Sequence, residues 1–117
     1  MPGFPRNARL SEPEQYAKVF DAPAIRVSSV AFLLLAVHSH HECSRVGIIV
    51  AKKHIRLANR RNRLKRLVRE QFRCSPLNLT LDMVVLARAH ADQMTNKEIS
   101  TDLKKLWKKA NDRSTQT

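Results

Sequence analysis

Apolar residues follow two different periods along this chain, and the switches between them mark its elements. Ser11-Glu12-Pro13-Glu14 opens a short helix. Ser11 can cap it, Pro13 suits a first turn, and Glu14 holds the reciprocal capping-box position. The helix runs to about Phe20 and stops before Pro23. Residues 25–37 are β-branched and apolar and predict a strand close to the usual upper length, with room to split in two. Residues 38–44 are a polar connection, and residues 46–51 predict a second strand, paired with the first as a hairpin. A helical period runs from Leu57 to about Arg73 and is ended by Pro76. Leu81 to Ala87 predicts a third, compact strand. Thr95-x-x-Glu98 is a second capping box, and the helix behind it sets Ile99, Leu103, Leu106, Trp107 and Ala110 on one stripe. Residues 1–8 and 111–117 are polar, without period, and read as flexible ends.

The order α-β-β-(β)-α-β-α predicts an α+β fold, one small, mostly antiparallel sheet with about three helices packed on it. A chain of 117 residues makes one domain, 1–117, with one core. The strands are apolar on both faces. They need helices on both sides, which is the simpler reading, or a groove that accepts something flat and apolar.

Charge changes the picture. The chain carries 22 Lys and Arg against 10 Asp and Glu, a net +12, which is the footprint of a polyanion binder. Residues 52–73, KKHIRLANRRNRLKRLVREQFR, supply ten of these cations and one acid, Glu70. At about 100° per residue, Leu57, Leu64, Leu67, Val68 and Phe72 gather on one side of a helix. Asn62, Lys65, Arg66, Arg69 and Arg73 gather on the other. Arg61–Lys65, Lys65–Arg69 and Arg69–Arg73 are like-charge pairs four residues apart, each costing about 0.2–0.5 kcal/mol. A helix selected only for stability interleaves signs, so this ridge is read as a ladder for a phosphate backbone. Arg outnumbers Lys in it seven to three, which suits bidentate phosphate contacts. The ridge is expected to gain helical order with sulfate or RNA. Tyr16 and Phe20 lie four apart on one face of the first helix; they are either core residues or a platform for unpaired bases.

Other classes fall away. With two glycines, Gly3 and Gly47, no Gly-rich phosphate loop can be written. No apolar run is long enough to span a membrane, and MPGFPRNARL has no apolar signal core. Two cysteines, Cys43 and Cys74, make no disulfide framework, so a reduced, cytoplasmic protein is expected. His38-x-His40-His41-x-Cys43 could chelate a metal but lacks a second cluster, and loop histidines without a role are the simpler reading. The acids are scattered, and no paired carboxylates or Ser/His/Asp set is evident. No catalytic residue is expected in the protein.

Ala58-Asn59-Arg60-Arg61-Asn62-Arg63-Leu64-Lys65-Arg66-Leu67-Val68-Arg69-Glu70 resembles the signature of the bacterial ribonuclease P protein family. Val46-Gly47 and Val50-Ala51-Lys52-Lys53 resemble that family's second strand and the turn after it. Phe4-Pro5-Arg6, Arg9-Leu10 and Tyr16…Val19-Phe20 resemble its N-terminal segment. Asp82…Val84-Val85…Ala87-Arg88 resembles its last strand, and Leu103…Leu106-Trp107 its last helix.

The resemblance implies an α-β sandwich with a left-handed crossover through the Arg-rich helix, a hand opposite to the general rule. It implies a ribonucleoprotein endoribonuclease whose RNA subunit, with Mg²⁺, removes the 5′ leader of precursor tRNA, one protein serving each RNA. Arg61, Asn62, Arg63, Lys65, Arg66 and Arg69 would face that RNA. Tyr16, Phe20, Phe32, Val50, Lys52 and Lys53 would line the leader groove. Tyr16 stands where many members carry Phe, so its hydroxyl needs a partner. His54–Asn59 lacks the Gly that many members have after the paired lysines. The competing class is a structural RNA binder of ribosomal-protein type. A DNA-binding regulator fits less well, since no helix-turn-helix is visible. DNA and membranes are not expected partners.

Overall fold

The computed structural model describes residues 9–39, 43–74 and 80–114. Helix α1 spans Pro13–Asp21, strands β1 and β2 span Ile25–Ser28 and Phe32–His38, and β3 spans Arg45–Ile49. Helix α2 spans Ala58–Cys74, β4 spans Leu81–Ala87, a 3-10 turn spans Ala89–Gln93, and α3 spans Asn96–Ser114. The four strands form one mixed sheet in the order β1-β2-β4-β3. β1–β2 and β2–β4 are antiparallel, and β3–β4 is parallel. The fold is α+β, as the pattern predicts.

The long apolar stretch divides at residues 29–31. Ser29 and Phe32 close a tight turn (Ser29 N–H to Phe32 O, 2.8 Å). The Asp102 carboxylate on α3 accepts from Ser29 Oγ (2.6 Å) and from the Ala31 N–H (3.0 Å). Arg88 Nη1 donates to the Ser29 carbonyl from the other side (3.3 Å).

The hairpin expected between 25–37 and 46–51 does not form. β4 stands between β2 and β3, reached from β3 by the crossover through α2. β4 is buried along Leu81–Val85, and a strand apolar on both faces gains most from neighbours on both edges. Arg45 of β3 and Asp82 of β4 lock that pairing with two hydrogen bonds (2.8 and 2.6 Å).

One sheet face is covered by α2 and α3. There Phe32, Leu34, Met83, Val85, Leu64, Val68, Ile99, Leu103, Leu106 and Trp107 form the main core. The opposite face carries a smaller cluster of Leu10, Val19, Leu35 and Val84 under α1, with Tyr16, Leu33, Val37, Ile49 and Leu86 half-buried beside it. So the simpler reading, full helical cover on both sides, holds for one face only.

Local details correct three expectations. Glu12, not Ser11, is the N-cap of α1, and Gln15, not Glu14, closes its box; Gln15 Oε1 accepts from the Ser11 and Glu12 N–H groups (2.8 and 3.0 Å). Leu57 is 60% exposed and does not join the docked side of α2; Ile55, fully buried, anchors the approach to that helix. Residues 111–114 are not a loose end. They continue α3 to Ser114, which is buried and donates to the Asn111 carbonyl (2.8 Å). The Thr95–Glu98 box and the Ile99–Ala110 stripe form as expected. Phe4-Pro5-Arg6, His40, His41 and Pro76 lie outside the described residues.

Candidate nucleic-acid interface

Two surfaces meet at the β3 edge of the sheet: the cation face of α2 and the face that α1 covers only in part. Helical geometry divides the arginines of α2 into two groups. Arg60 and Arg63 stand seven and four residues before buried Leu67, so they point toward α3 rather than outward. Arg60 pairs with the Asp92 carboxylate and carbonyl. Arg63 donates from Nη1 to the Met94 carbonyl (3.1 Å) and to Asn96 Oδ1 (2.7 Å), and its buried Nε has no partner among the described residues. Arg61 Nη1 donates to the Ile55 and Arg56 carbonyls (3.0 and 2.8 Å), tying down the segment before the helix.

The other group remains outward. Asn62 and Arg66 are exposed, and Lys65 and Arg69 flank them half-buried. Arg66, Arg69, Glu70 and Arg73 line a shallow hollow on this face. Arg69 lies where α2 approaches the N-terminal segment. Its pKa is lowered, first by burial and then by the positive charge of Arg9. A guanidinium stays charged at any physiological pH, so that crowding favours a bound anion.

Arg9 and Leu10 flank β3, bridging Val46 (Leu10 N–H to Val46 O, 3.1 Å). α1 then lays Tyr16 over Gly47, whose missing side chain leaves the room for the ring. The Tyr16 hydroxyl finds its partner in the Leu10 carbonyl (3.2 Å). Phe20, one turn further on, is 42% exposed. With Val30 and Leu57 it is one of the large apolar side chains left exposed among the described residues.

Phe32 and Val50 do not belong to this face. Phe32 is fully buried and Val50 nearly so, both in the core under α2 and α3. Side chains alternate along a strand, so Leu33 and Ile49, one residue away, take the open side. With Leu86, Ala51, Ala87 and Ala89 they floor a shallow groove rimmed by Lys53, His54 and Arg88. Lys52 is exposed in the same turn as Lys53 but does not line the groove. Sequence reading missed Leu33, Ile49, Leu86, His54, Arg88 and Arg9. Strand parity from Gly47 points to Ile49; Leu33 and Leu86 follow only from the register of β4 with its neighbours.

Four carboxylates are committed within the fold. Asp82 holds Arg45, Asp92 holds Arg60, Asp102 holds the β1–β2 turn, and Glu98 caps α3. Among the described residues no group of three His, Cys, Asp or Glu side chains is placed to ligate a metal. No described helix is long and apolar enough to cross a membrane.

Comparison with known proteins identifies the family and matches the fold. The family model described as Ribonuclease P matches residues 4–111. The ribonuclease P protein component of Pseudoalteromonas translucida (strain TAC 125) is 40% identical over 111 residues, 94% of this chain and 79% of that protein. The component from Marinobacter nauticus is 41% identical over 104 residues, 89% of this chain and 79% of that protein. Among solved structures, the Staphylococcus aureus RNase P protein superposes with a TM-score of 0.79 at 28% identity, covering 89% of this chain and 98% of its own. The Thermotoga maritima protein gives a TM-score of 0.75 at 28% identity, covering 86% of this chain and 94% of its own. With the match running through nearly every described element, the chain belongs to the ribonuclease P protein family.

Proposed function

We propose that this chain grips the ribonuclease P RNA with the outward residues of α2, and holds the 5′ leader of precursor tRNA on the partly open sheet face. As a member of its family it is the protein subunit of a ribonucleoprotein endoribonuclease acting in tRNA processing, with catalysis in the RNA.

Asn62, Lys65, Arg66 and Arg69 carry the RNA contact in this reading. Arg61 and Arg63 support it indirectly, by fixing the helix that presents the others. The leader groove uses Tyr16, Phe20, Leu33, Ile49 and Leu86 as a surface for unpaired bases, with Lys52, Lys53, His54 and Arg88 for phosphates. Stacking on aromatic rings is worth about 1–3 kcal/mol per base and tolerates any sequence. Mg²⁺ would be held by the RNA, and Asp82, Asp92 and Asp102 are engaged within the fold. The protein offsets repulsion between two polyanions and so lowers the Mg²⁺ requirement. One protein per RNA, in the cytoplasm, completes the reading.

Exposed Phe20, one turn after Tyr16 on the helix that half-covers this floor, is the observation that carries the leader assignment. The test is Phe20→Ala in the reconstituted holoenzyme. Preference for precursor over mature tRNA should fall about tenfold while affinity for mature tRNA holds. Equal loss for both would contradict the assignment. A ribosomal role is weighed against this by whether the protein sediments with ribosomes or co-purifies with one ribozyme-type RNA.

A further inference from the structure

One row of residues crosses all four strands on the partly open face. Ile49 pairs with Leu86, Leu86 with Leu33, and Leu33 with Ser28. At about 4.8 Å per strand the row is about 14 Å long, enough for several stacked or splayed bases. Lys53 and His54 stand at its β3 end. At the other end the row reaches β1, the outer strand of the sheet among the described residues.

A second hollow opens there, lined by Arg26, Val27, Ser28, Lys109, Asp112 and Arg113. Arg26 alternates with core-facing Ile25 and Val27, so it belongs to the open face, opposite Leu35. Lys109 reaches the strand from α3 and donates to the Ser28 carbonyl (2.8 Å), which fixes its ammonium at the end of the row. Three cations meet one carboxylate in this hollow at the β1 edge, and its Ser28 is the strand partner of Leu33 in the groove.

We propose that the groove continues over the β1 edge, where Arg26, Lys109 and Arg113 bind phosphates of a leader too long to end on the sheet. The inference rests on the leader reading above and extends it to the length of leader that the protein senses. Cations on an edge strand also deter pairing with other chains. That simpler role leaves RNA affinity unchanged when they are removed, so the two are separable.

The test uses holoenzyme reconstituted with ribonuclease P RNA and precursor transcripts with leaders of about four and about twelve nucleotides. Wild-type protein should bind the longer leader roughly tenfold more tightly. The triple variant Arg26→Ala/Lys109→Ala/Arg113→Ala should lose that increment and keep short-leader affinity. Its salt dependence on the long leader should be shallower by about 2 in log–log slope. Arg26→Ala/Arg113→Ala, which leaves the Lys109–Ser28 bond in place, should show the same loss in part and guards against misfolding. An unchanged increment in either variant, or none in the wild type, overturns the proposal. Equal loss on both leaders also overturns it and assigns the edge to the RNA subunit. Failure of the groove itself would look different: wild-type enzyme would bind the short-leader precursor no better than leaderless tRNA.

Discussion

The ring of Tyr16 lies so close over Gly47 that a β-carbon there would sit 2.5–2.6 Å from its Cε1, Cζ and hydroxyl oxygen. The contact ties α1, which lies over β2 and β4, to the neighbouring strand β3. Gly47→Ala should therefore destabilise the fold by about 1–3 kcal/mol, read by chemical denaturation. Pairing it with Tyr16→Ala should recover part of that loss, because the ring is the obstacle. If the two losses simply add, the ring does not set the position of α1.

Arg63 and Arg66 are three residues apart and should behave oppositely. Arg63→Ala removes bonds to Met94 and Asn96 that join α2 to α3, a cost of about 2–4 kcal/mol visible as a lowered Tm. Arg66→Ala should leave Tm unchanged and weaken affinity for ribonuclease P RNA. A stable Arg63→Ala protein with a selective RNA defect would show that Arg63 faces the RNA after all.

Asp102→Ala strips the β1–β2 turn of the acceptor for the Ala31 N–H, a buried donor. The expected loss is about 1–3 kcal/mol, with hydrogen exchange rising first at Ala31 and Phe32. Asp102→Asn, which keeps one acceptor, should lose less. Uniform exchange across the sheet would mean that the turn is held by something else.

The Glu98 carboxylate accepts from the Thr95 N–H (2.8 Å), and the Thr95 backbone and side chain hold its pKa below the usual glutamate value. A folded pKa lower than the unfolded one means that the cap is fully present above the unfolded value. It is lost as pH falls through the folded value. Carbon-detected NMR titration should find the Glu98 midpoint below 4.5. Thr95→Ala should return it toward the ordinary range; no movement would separate the shift from the cap.

Periodicity carried the elements well because it is a local property. The stripe Ile99–Leu103–Leu106–Trp107–Ala110 is the buried side of α3, and Leu81–Ala87 is β4 to the residue. Strand order was not legible, since nothing local tells 32–38 whether 45–49 or 81–87 lies beside it. The site was half legible. Assigning Phe32 and Val50 to the groove misplaced each by one residue, and in a strand that exchanges one face for the other. Gly47 under Tyr16 held the missing information: odd positions of β3 face α1. The arginines show the same limit. Arg60, Arg61 and Arg63 count toward net charge like the rest, yet their bonds run to Asp92 and to backbone carbonyls. Spacing from Leu67 identifies two of them.

Salt dependence of binding to ribonuclease P RNA tests the grip of α2 most directly. With about five or six phosphates engaged, log affinity should fall against log salt with a slope near −4 to −5. Lys65→Ala/Arg66→Ala/Arg69→Ala should flatten that slope by about 2–3 while Tm stays put. A wild-type slope shallower than about −2, or a triple variant that keeps the wild-type slope, would contradict it.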